Sequence, residues 1–185
     1  MKVARSDVVA AIEARVANEH LRRHMLATEA IMRALASRLG EDPEIWGLAG
    51  LAHDLDSEET ESDFSRHGTE AAAALESLGA PPEVVHAVAA HNPATGVTGE
   101  SRMDVALTVA DQLSGLITAA ALVLPEKDLA GVALKSVRKR YREGAFARGV
   151  DREAIARCSQ LGLELDETFA LGLEAMQAIA SDLGL

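Results

Sequence analysis

The feature that most constrains the fold is the spacing of apolar residues in segments bounded by glycines and prolines. The segment from Asp7 to Leu39 contains no Pro or Gly, and its apolar residues recur at helical spacing. This segment predicts one helix that ends at Gly40. Asp42 followed by Pro43 is typical of a helix start, so a second helix is predicted from Pro43 to His53.

The same signals predict helices over the rest of the chain. Three of these helices cover about residues 67–78, 82–91 and 102–121. A further helix begins after Asp151, and the last covers residues 166–183. The stretch from Asn92 to Arg102 is rich in turn formers and predicts a loop. No alternating pattern typical of strands runs for more than a few residues. We therefore predict an all-α fold, with one domain over residues 1–125 and a C-terminal helical extension over residues 126–185 packed on it.

Composition and charge exclude several classes of function. Asp and Glu number 29 against 18 Lys and Arg, and the net charge of −11 opposes binding of nucleic acid in bulk. The single cysteine, Cys158, cannot form an intramolecular disulfide, and we interpret it as a packed small residue. No leader-like segment and no uninterrupted apolar run of about 18–20 residues occurs. We expect a cytoplasmic protein with no membrane partner.

Two positions place titratable side chains beside apolar helices. His53 and Asp54 follow the apolar run from Leu48 to Ala52, so neither is expected in bulk solvent. Asp111 lies in a nearly continuous apolar helix, where an isolated carboxylate costs several kcal/mol to bury. It therefore needs a cation, a hydroxyl group or an Arg as a partner. Imidazole and carboxylate groups are ligands that Fe, Mn, Zn and Co accept.

An acidic segment runs from Gly40 to Ser65, with nine carboxylates and no Lys or Arg. Its middle part, Ser57 to Asp63, predicts a solvated loop. Asp56, two residues after Asp54, is interpreted as a turn residue or as a group that orients a metal ligand. Charge in this segment therefore does not by itself indicate a binding site.

The order His24, then His53-Asp54, then Asp111 resembles the H…HD…D signature of the HD-domain superfamily of metal-dependent phosphohydrolases. The resemblance covers about residues 18–120. The segment LAGLAHDLD resembles the HDIG-type motif of this superfamily. The segment HGTEAAAALESLGAPPEVVHAVAAHN resembles the helix pair of those HD domains that carry two further histidines. The C-terminal extension is similar to that of uncharacterised HDIG-type bacterial and archaeal proteins. The implied architecture is an HD-domain helical bundle with that extension.

The resemblance also implies a cofactor of one or two divalent ions, drawn from Fe, Mn, Co, Ni, Zn or Mg. A first ion would be bound by His24, His53, Asp54 and Asp111. Asp54 would bridge to a second ion that is also held by His67 and His91. His53 and Asp54 would be the catalytic residues.

Two further histidines, His20 and His86, lie near these candidate ligands in the sequence. His20 lies one turn before His24 and could compete for its place, although the apolar helix after His24 fits the family pattern better. His86 lies five residues before His91 and is interpreted as a packing or hydrogen-bonding residue.

The activity implied is hydrolysis of a nucleotide or another small phosphate ester through a metal-activated water. Some HD-domain proteins use the same ligands as di-iron oxygenases, and others are non-catalytic modules that bind metal and nucleotide, so both alternatives stay open. The chain departs from the family in two places. The lysine that often follows the HD dipeptide is replaced by an acidic segment, and no GYP motif occurs, so cyclic dinucleotides are not assigned as substrates.

Basic residues that could bind a substrate phosphate occur beside the signature and in one patch after it. The patch is interpreted either as a solvated helix face or as a lid over an anionic substrate. The candidates are Arg23, Arg66, Arg102, Lys135, Arg138 and Lys139.

Two Ala-rich segments leave the oligomeric state open. Residues from Leu116 to Val123 and from Phe169 to Ala180 are predicted to pack either within one chain or across a homodimer.

Overall fold

The computed structural model describes residues 3–185, and within these residues the fold is all-α, with ten α-helices and no β-strand. Short 3₁₀ turns cover Phe64–Arg66, Pro93–Thr95 and Arg157–Leu161. The α-helices are α1 Arg5–Arg15, α2 Glu19–Leu39, α3 Pro43–Ala52, α4 Thr69–Ser77, α5 Pro82–Ala90, α6 Arg102–Leu122, α7 Leu134–Arg142, α8 Arg152–Ala156, α9 Leu165–Ala178 and α10 Ala180–Leu183.

The prediction of one helix from Asp7 to Leu39 is wrong, because the helix is interrupted at residues 16–18, between α1 and α2. The side chain of Asn18 caps α2 by accepting hydrogen bonds from the backbone N–H groups of His20 and Leu21. The carboxylate of Glu58 accepts from the N–H groups of Ala17 and Asn18 at 3.1 and 2.7 Å. These interactions satisfy backbone donors that a continuous helix would have used, and no local sequence signal reveals the partner.

Two other predicted helix boundaries change for local reasons. α4 begins at Thr69 rather than His67, because Gly68 has a φ of +94°, a conformation that favours glycine. The predicted helix over residues 166–183 is divided at Ile179 into α9 and α10. The predicted helix over residues 102–121 is confirmed as α6, and Ser101 and Asp104 form a capping box at its start.

Helix α6 lies at the centre of the fold. It contacts α2, α3, α5, α7, α8 and α9, and side chains such as Leu107, Leu113 and Leu116 are fully buried. By length and composition α6 could span a membrane, but most of its apolar window is buried against the other helices, as is typical of a core helix. The segments Leu116–Val123 and Phe169–Ala180 contact each other within the chain through α6 and α9, although Leu122 and Val123 are exposed.

Residues beyond 125 also contribute to this packing. α9 contacts α2, α6 and α7, and α8 contacts α6. A methyl group at Gly172 would lie 2.6 Å from a methyl carbon of Leu113, so α9 and α6 approach closely there. The boundary at residue 125 itself stays a prediction.

The backbones of α2 and α3 approach closely at Gly50. A Cβ atom built on Gly50 would lie 2.8 Å from the carbonyl oxygen of Thr28 and 2.9 Å from the Cα atom of Glu29. Only glycine allows this approach, and it places the end of α3 against the middle of α2. His24, on α2, and His53 and Asp54, directly after α3, belong to the candidate site described below.

We expect Gly50→Ala to lower the free energy of unfolding by about 1–3 kcal/mol, because the added methyl group meets backbone atoms that cannot move independently. Gly47→Ala in the same helix is the matched control, since its methyl group meets the flexible side chain of Arg33. The control should change stability by less than about 1 kcal/mol. Urea unfolding followed by circular dichroism measures both, and equal effects would contradict the close packing of α2 and α3.

Candidate metal centre

The first group of converging side chains joins α2, the end of α3 and the middle of α6. The Nε2 atoms of His24 and His53 are 3.2 Å apart. One oxygen of Asp111, Oδ1, lies 3.1 Å from Nε2 of His24 and 3.8 Å from Nε2 of His53. Three potential ligand atoms from three distant segments therefore face one another.

A second group lies beside the first one. The Nε2 atoms of His67 and His91 are 3.1 Å apart. Oδ1 of Asp54 lies 3.2 Å from Nε2 of His67 and 3.7 Å from Nε2 of His91. His67 comes from the turn before α4 and His91 from the residue after α5.

Asp54 lies between the two groups. Its Oδ1 atom is also 3.4 Å from Nε2 of His53, and its Oδ2 atom is 3.5 Å from Nε2 of His24. Neighbouring residues of a regular helix point about 100° apart, so His53 and Asp54 can meet only where a helix ends. α3 ends at Ala52 and the chain continues in turns, which brings both side chains to one side.

Each of the four imidazoles has its Nδ1 atom held by an acceptor. His53 and His91 donate from Nδ1 to the carbonyl oxygens of Gly50 and Val88, at 2.9 and 2.6 Å. A carbonyl oxygen accepts only, so Nδ1 of each ring carries a proton, and in the neutral ring the lone pair is on Nε2.

The other two rings follow the same rule with side-chain partners. Nδ1 of His24 is 3.0 Å from the hydroxyl oxygen of Ser114, which itself donates to the carbonyl oxygen of Asp111. Because the Ser114 proton is used there, the hydroxyl oxygen accepts from His24. Nδ1 of His67 donates to the carboxylate of Asp56 at 2.8 Å. All four Nε2 atoms therefore point into the cluster, and each offers a lone pair when its ring is neutral.

This donor set fits divalent metal ions. Two Nε2 lone pairs that face each other at 3.1 or 3.2 Å repel unless a proton or a metal ion lies between them. Imidazole nitrogens and carboxylate oxygens are the mixed ligands that Zn, Fe, Mn and Co bind. Hydrogen bonds from Nδ1 to fixed acceptors are the usual means of orienting metal-binding histidines. The role of the six residues as ligands stays a prediction that this geometry supports.

The electrostatics of the cluster favour a cation at the same positions. Burial opposes ionisation of Asp54, but the imidazoles of His53, His67 and His91 hold the pKa of its carboxyl well below its usual range. Burial also opposes protonation of His67, yet its hydrogen bonds to Asp54 and Asp56 raise its pKa to about 9. A metal ion at the second group would therefore displace a proton at neutral pH.

Asp56 is buried and orients His67, as one of its two interpretations expected. Besides Nδ1 of His67, its carboxylate accepts from the backbone N–H groups of Gly68 and Ala71, each at 2.8 Å. These bonds connect the turn that carries His67 to the start of α4. The acidic segment beyond it is mostly exposed, as predicted, although Thr60 is buried.

The remaining histidines lie outside the two groups. His20 is exposed at the start of α2, while His24 faces the cluster one turn later. Nδ1 of His86 donates a hydrogen bond to the carboxylate of Asp104, at 3.2 Å. The positions of both agree with the preference for His24 and with the interpretation of His86 as a hydrogen-bonding residue.

A cavity of about 650 Å³ opens beside the metal-facing side chains, with His91 and Asp111 in its wall. The six basic residues predicted to bind phosphate do not line this cavity. Arg23 lines a second cavity together with His24, and Lys135 is exposed on α7. The other four are paired with carboxylates, as Arg66–Glu70, Arg102–Glu41, Arg138–Asp166 and Lys139–Glu143.

Sequence reasoning missed three polar residues around the centre. Arg157, from the 3₁₀ turn after α8, lines the 650 Å³ cavity and donates to the carbonyl oxygen of Gly99 at 3.0 Å. Gln112 lines the same cavity and donates to Oδ2 of Asp111 at 2.8 Å. The third residue is Ser114, which contacts Nδ1 of His24. Gln112 directly follows Asp111 and Ser114 lies three residues after it, so their positions on the same helix were available signals. Arg157 lies outside the signature, and no spacing rule connects it to the site.

We expect metal-loaded protein to contain two Mn²⁺ ions per chain, and His67→Ala or His91→Ala to contain one, because each change removes one nitrogen from the second group. His86→Ala is the matched control and should keep two ions. Metal content is measured by mass spectrometry after gel filtration. One ion in all four proteins would remove His67 and His91 from the ligands.

Comparison with known proteins agrees with this geometry. The family model described as HD domain matches residues 21–116, a range that covers more than half of the chain and contains all six side chains of the two groups. No curated protein and no solved structure shows a significant match. HD domains are all-α and bind divalent metals, in agreement with the fold and the donor set observed. The chain belongs to the HD domain family.

Proposed function

We propose that this protein is a metal-dependent phosphohydrolase that acts on a nucleotide or another small phosphate ester. The observation that carries the proposal is the position of Asp54 between two groups of ligand atoms, each within reach of one ion. Membership of the HD domain family supports it, since metal-dependent phosphohydrolysis is the activity generally found in that superfamily.

A pair of divalent ions can supply a water of lowered pKa and stabilise charge on phosphoryl oxygens. The side chains of this chain would hold the reacting centre in place. Asp54 would contact both halves of the site, while the Nδ1 hydrogen bonds of His53 and His91 keep both rings fixed. His53 is fully buried and the side chain of Asp54 is 13 % exposed, which limits the access of bulk water to both.

No side-chain nucleophile is needed in this scheme. Cys158, the single cysteine of the chain, is buried and does not line the cavity at the cluster. Burial raises the pKa of its thiol, which disfavours the reactive thiolate. Its environment agrees with the interpretation of Cys158 as a packed small residue.

The cavity at the cluster supports a substrate of nucleotide size. Its volume of about 650 Å³ lies within the range of roughly 300–1,000 Å³ typical of small-molecule sites. Arg157 in its wall forms no ion pair with a carboxylate among residues 3–185, so its guanidinium is the cation best placed to bind an anionic part of the substrate.

We expect Mn²⁺-loaded protein to release phosphate or a nucleoside product from at least one member of a panel of nucleotides and phosphodiesters. Asp54→Ala should lower this rate by about 100-fold or more, because it removes the carboxylate shared by both groups. His20→Ala should keep the wild-type rate, since His20 is exposed outside the cluster. Product formation is followed by chromatography.

Two results would overturn the proposal and identify the alternatives. Oxygen consumption by the iron-loaded protein, with a mixed-valent spin signal and no hydrolysis, would indicate a di-iron oxygenase. Thermal stabilisation by a nucleotide without any turnover would indicate a regulatory binding module.

We further expect Arg157→Ala to raise KM about 10-fold or more with a smaller change in kcat, because a hydrogen bond to a charged group is worth about 1.5–3 kcal/mol. Arg138→Ala is the matched control, since Arg138 pairs with Asp166 away from the cavity. A rise in KM for Arg138→Ala alone would instead favour the basic patch as the phosphate contact. Steady-state kinetics on the best substrate measures both.

A further inference from the structure

Gln112 connects a candidate metal ligand to a segment of the chain beyond the family match. Its Nε2 atom donates to Oδ2 of Asp111 at 2.8 Å. Its Oε1 atom accepts from the backbone N–H of Asp151, also at 2.8 Å. Residues 21–116 match the family, so Asp151 lies outside that range.

The chemistry of the two partners determines which way the amide points. A backbone N–H can only donate, so the group of Gln112 that faces Asp151 must be the oxygen. The amide nitrogen then faces the carboxylate of Asp111, which can only accept. Both ends of the amide are satisfied in this orientation alone.

This orientation selects one oxygen of Asp111 for the cluster. The hydrogen bond from Gln112 occupies Oδ2, while Oδ1 faces the Nε2 atoms of His24 and His53 at 3.1 and 3.8 Å. Burial opposes ionisation of Asp111, but the hydrogen bond to His24 and the charges of His53 and His24 lower its pKa. The carboxylate is therefore held as an anion, with one oxygen facing the histidines.

The partner of Gln112 is itself held rigidly. The side chain of Asp151 accepts from the N–H groups of Glu153 and Ala154 and caps α8. The guanidinium of Arg152 donates to carbonyl oxygens of the preceding turn, at 2.8 Å for Val150, 3.1 Å for Glu143 and 3.2 Å for Ala147, and also to that of Phe146. We call residues 143–152 the Arg152-clamped segment.

We propose that Gln112 is a positioning residue for Asp111, and that the Arg152-clamped segment acts through it to set the metal affinity of the HD-domain site. The inference rests on metal binding by the group of His24, His53 and Asp111, which is part of the proposed function. It does not depend on which reaction the site performs.

The test is a titration of the metal-free full chain with Mn²⁺ by calorimetry, together with the visible spectrum of the Co²⁺-loaded protein. Gln112→Leu has a similar volume and removes both hydrogen bonds. We expect it to raise the Kd of one ion about 10-fold or more, the size typical of losing a group that orients a ligand, and to change the Co²⁺ spectrum. Thr118→Ala, on the same half-exposed face of α6, is the matched control and should change neither.

A second variant tests the connection to the C-terminal region. Arg152→Met removes the clamp and should also raise the Kd of one ion. If both residues act through one chain of contacts, the double variant should bind Mn²⁺ with the same Kd as Gln112→Leu alone. If they act independently, the two increases in Kd should multiply. Circular dichroism of the metal-free proteins checks folding, and Gln112→Leu carries the test if Arg152→Met does not fold.

The outcomes separate this inference from the proposed function. Wild-type Kd values and an unchanged Co²⁺ spectrum in folded Gln112→Leu would overturn the positioning role, even if the enzyme hydrolyses phosphate esters. Multiplying effects in the double variant would overturn the part assigned to the Arg152-clamped segment. Absence of any hydrolysis, together with the expected changes in Kd, would overturn the proposed phosphohydrolase function and support the positioning role of Gln112.

Discussion

The candidate site depends on one arrangement, in which a fixed acceptor holds the Nδ1 atom of every imidazole so that its Nε2 lone pair points inward. Two acceptors are backbone carbonyls of the helix that precedes the histidine, and two are the side chains of Ser114 and Asp56. The lone pairs meet around the carboxylates of Asp54 and Asp111, which is why the cluster suits cations. Most of the surrounding fold serves to bring these ring positions together.

Helix α6 explains how a polar centre exists inside an apolar bundle. It is buried on most sides, and its partly exposed positions, which include Thr108, Asp111, Gln112 and Gly115, follow one another at helical spacing along a single face. Asp111 therefore reaches both the cluster and the adjacent cavity. The same helix supplies Ser114 to orient His24, so one element contributes a candidate ligand, a support for another ligand and a wall of the cavity.

The region after the family match is part of the site's surroundings. Arg157 lies in the wall of the cavity, and the backbone of Asp151 holds the amide that faces Asp111. The basic residues that sequence patterns favoured for phosphate mostly pair with carboxylates on the surface. A cluster of like charges in sequence is therefore a weaker guide to substrate binding than a single cation whose side chain borders the cavity.

Sequence alone determined the helical class and most helix ends, because these depend on local spacing and capping residues. The six side chains of the two groups were indicated by the resemblance of the order of His and Asp to the HD-domain signature. The tertiary structure decided the interruption before α2 and the contributions of Gln112 and Arg157. Each of these depends on partners far apart in the chain, such as Glu58, which contacts Asn18 from 40 residues away. Local patterns carry no information about such partners, since only packing brings them within hydrogen-bond distance.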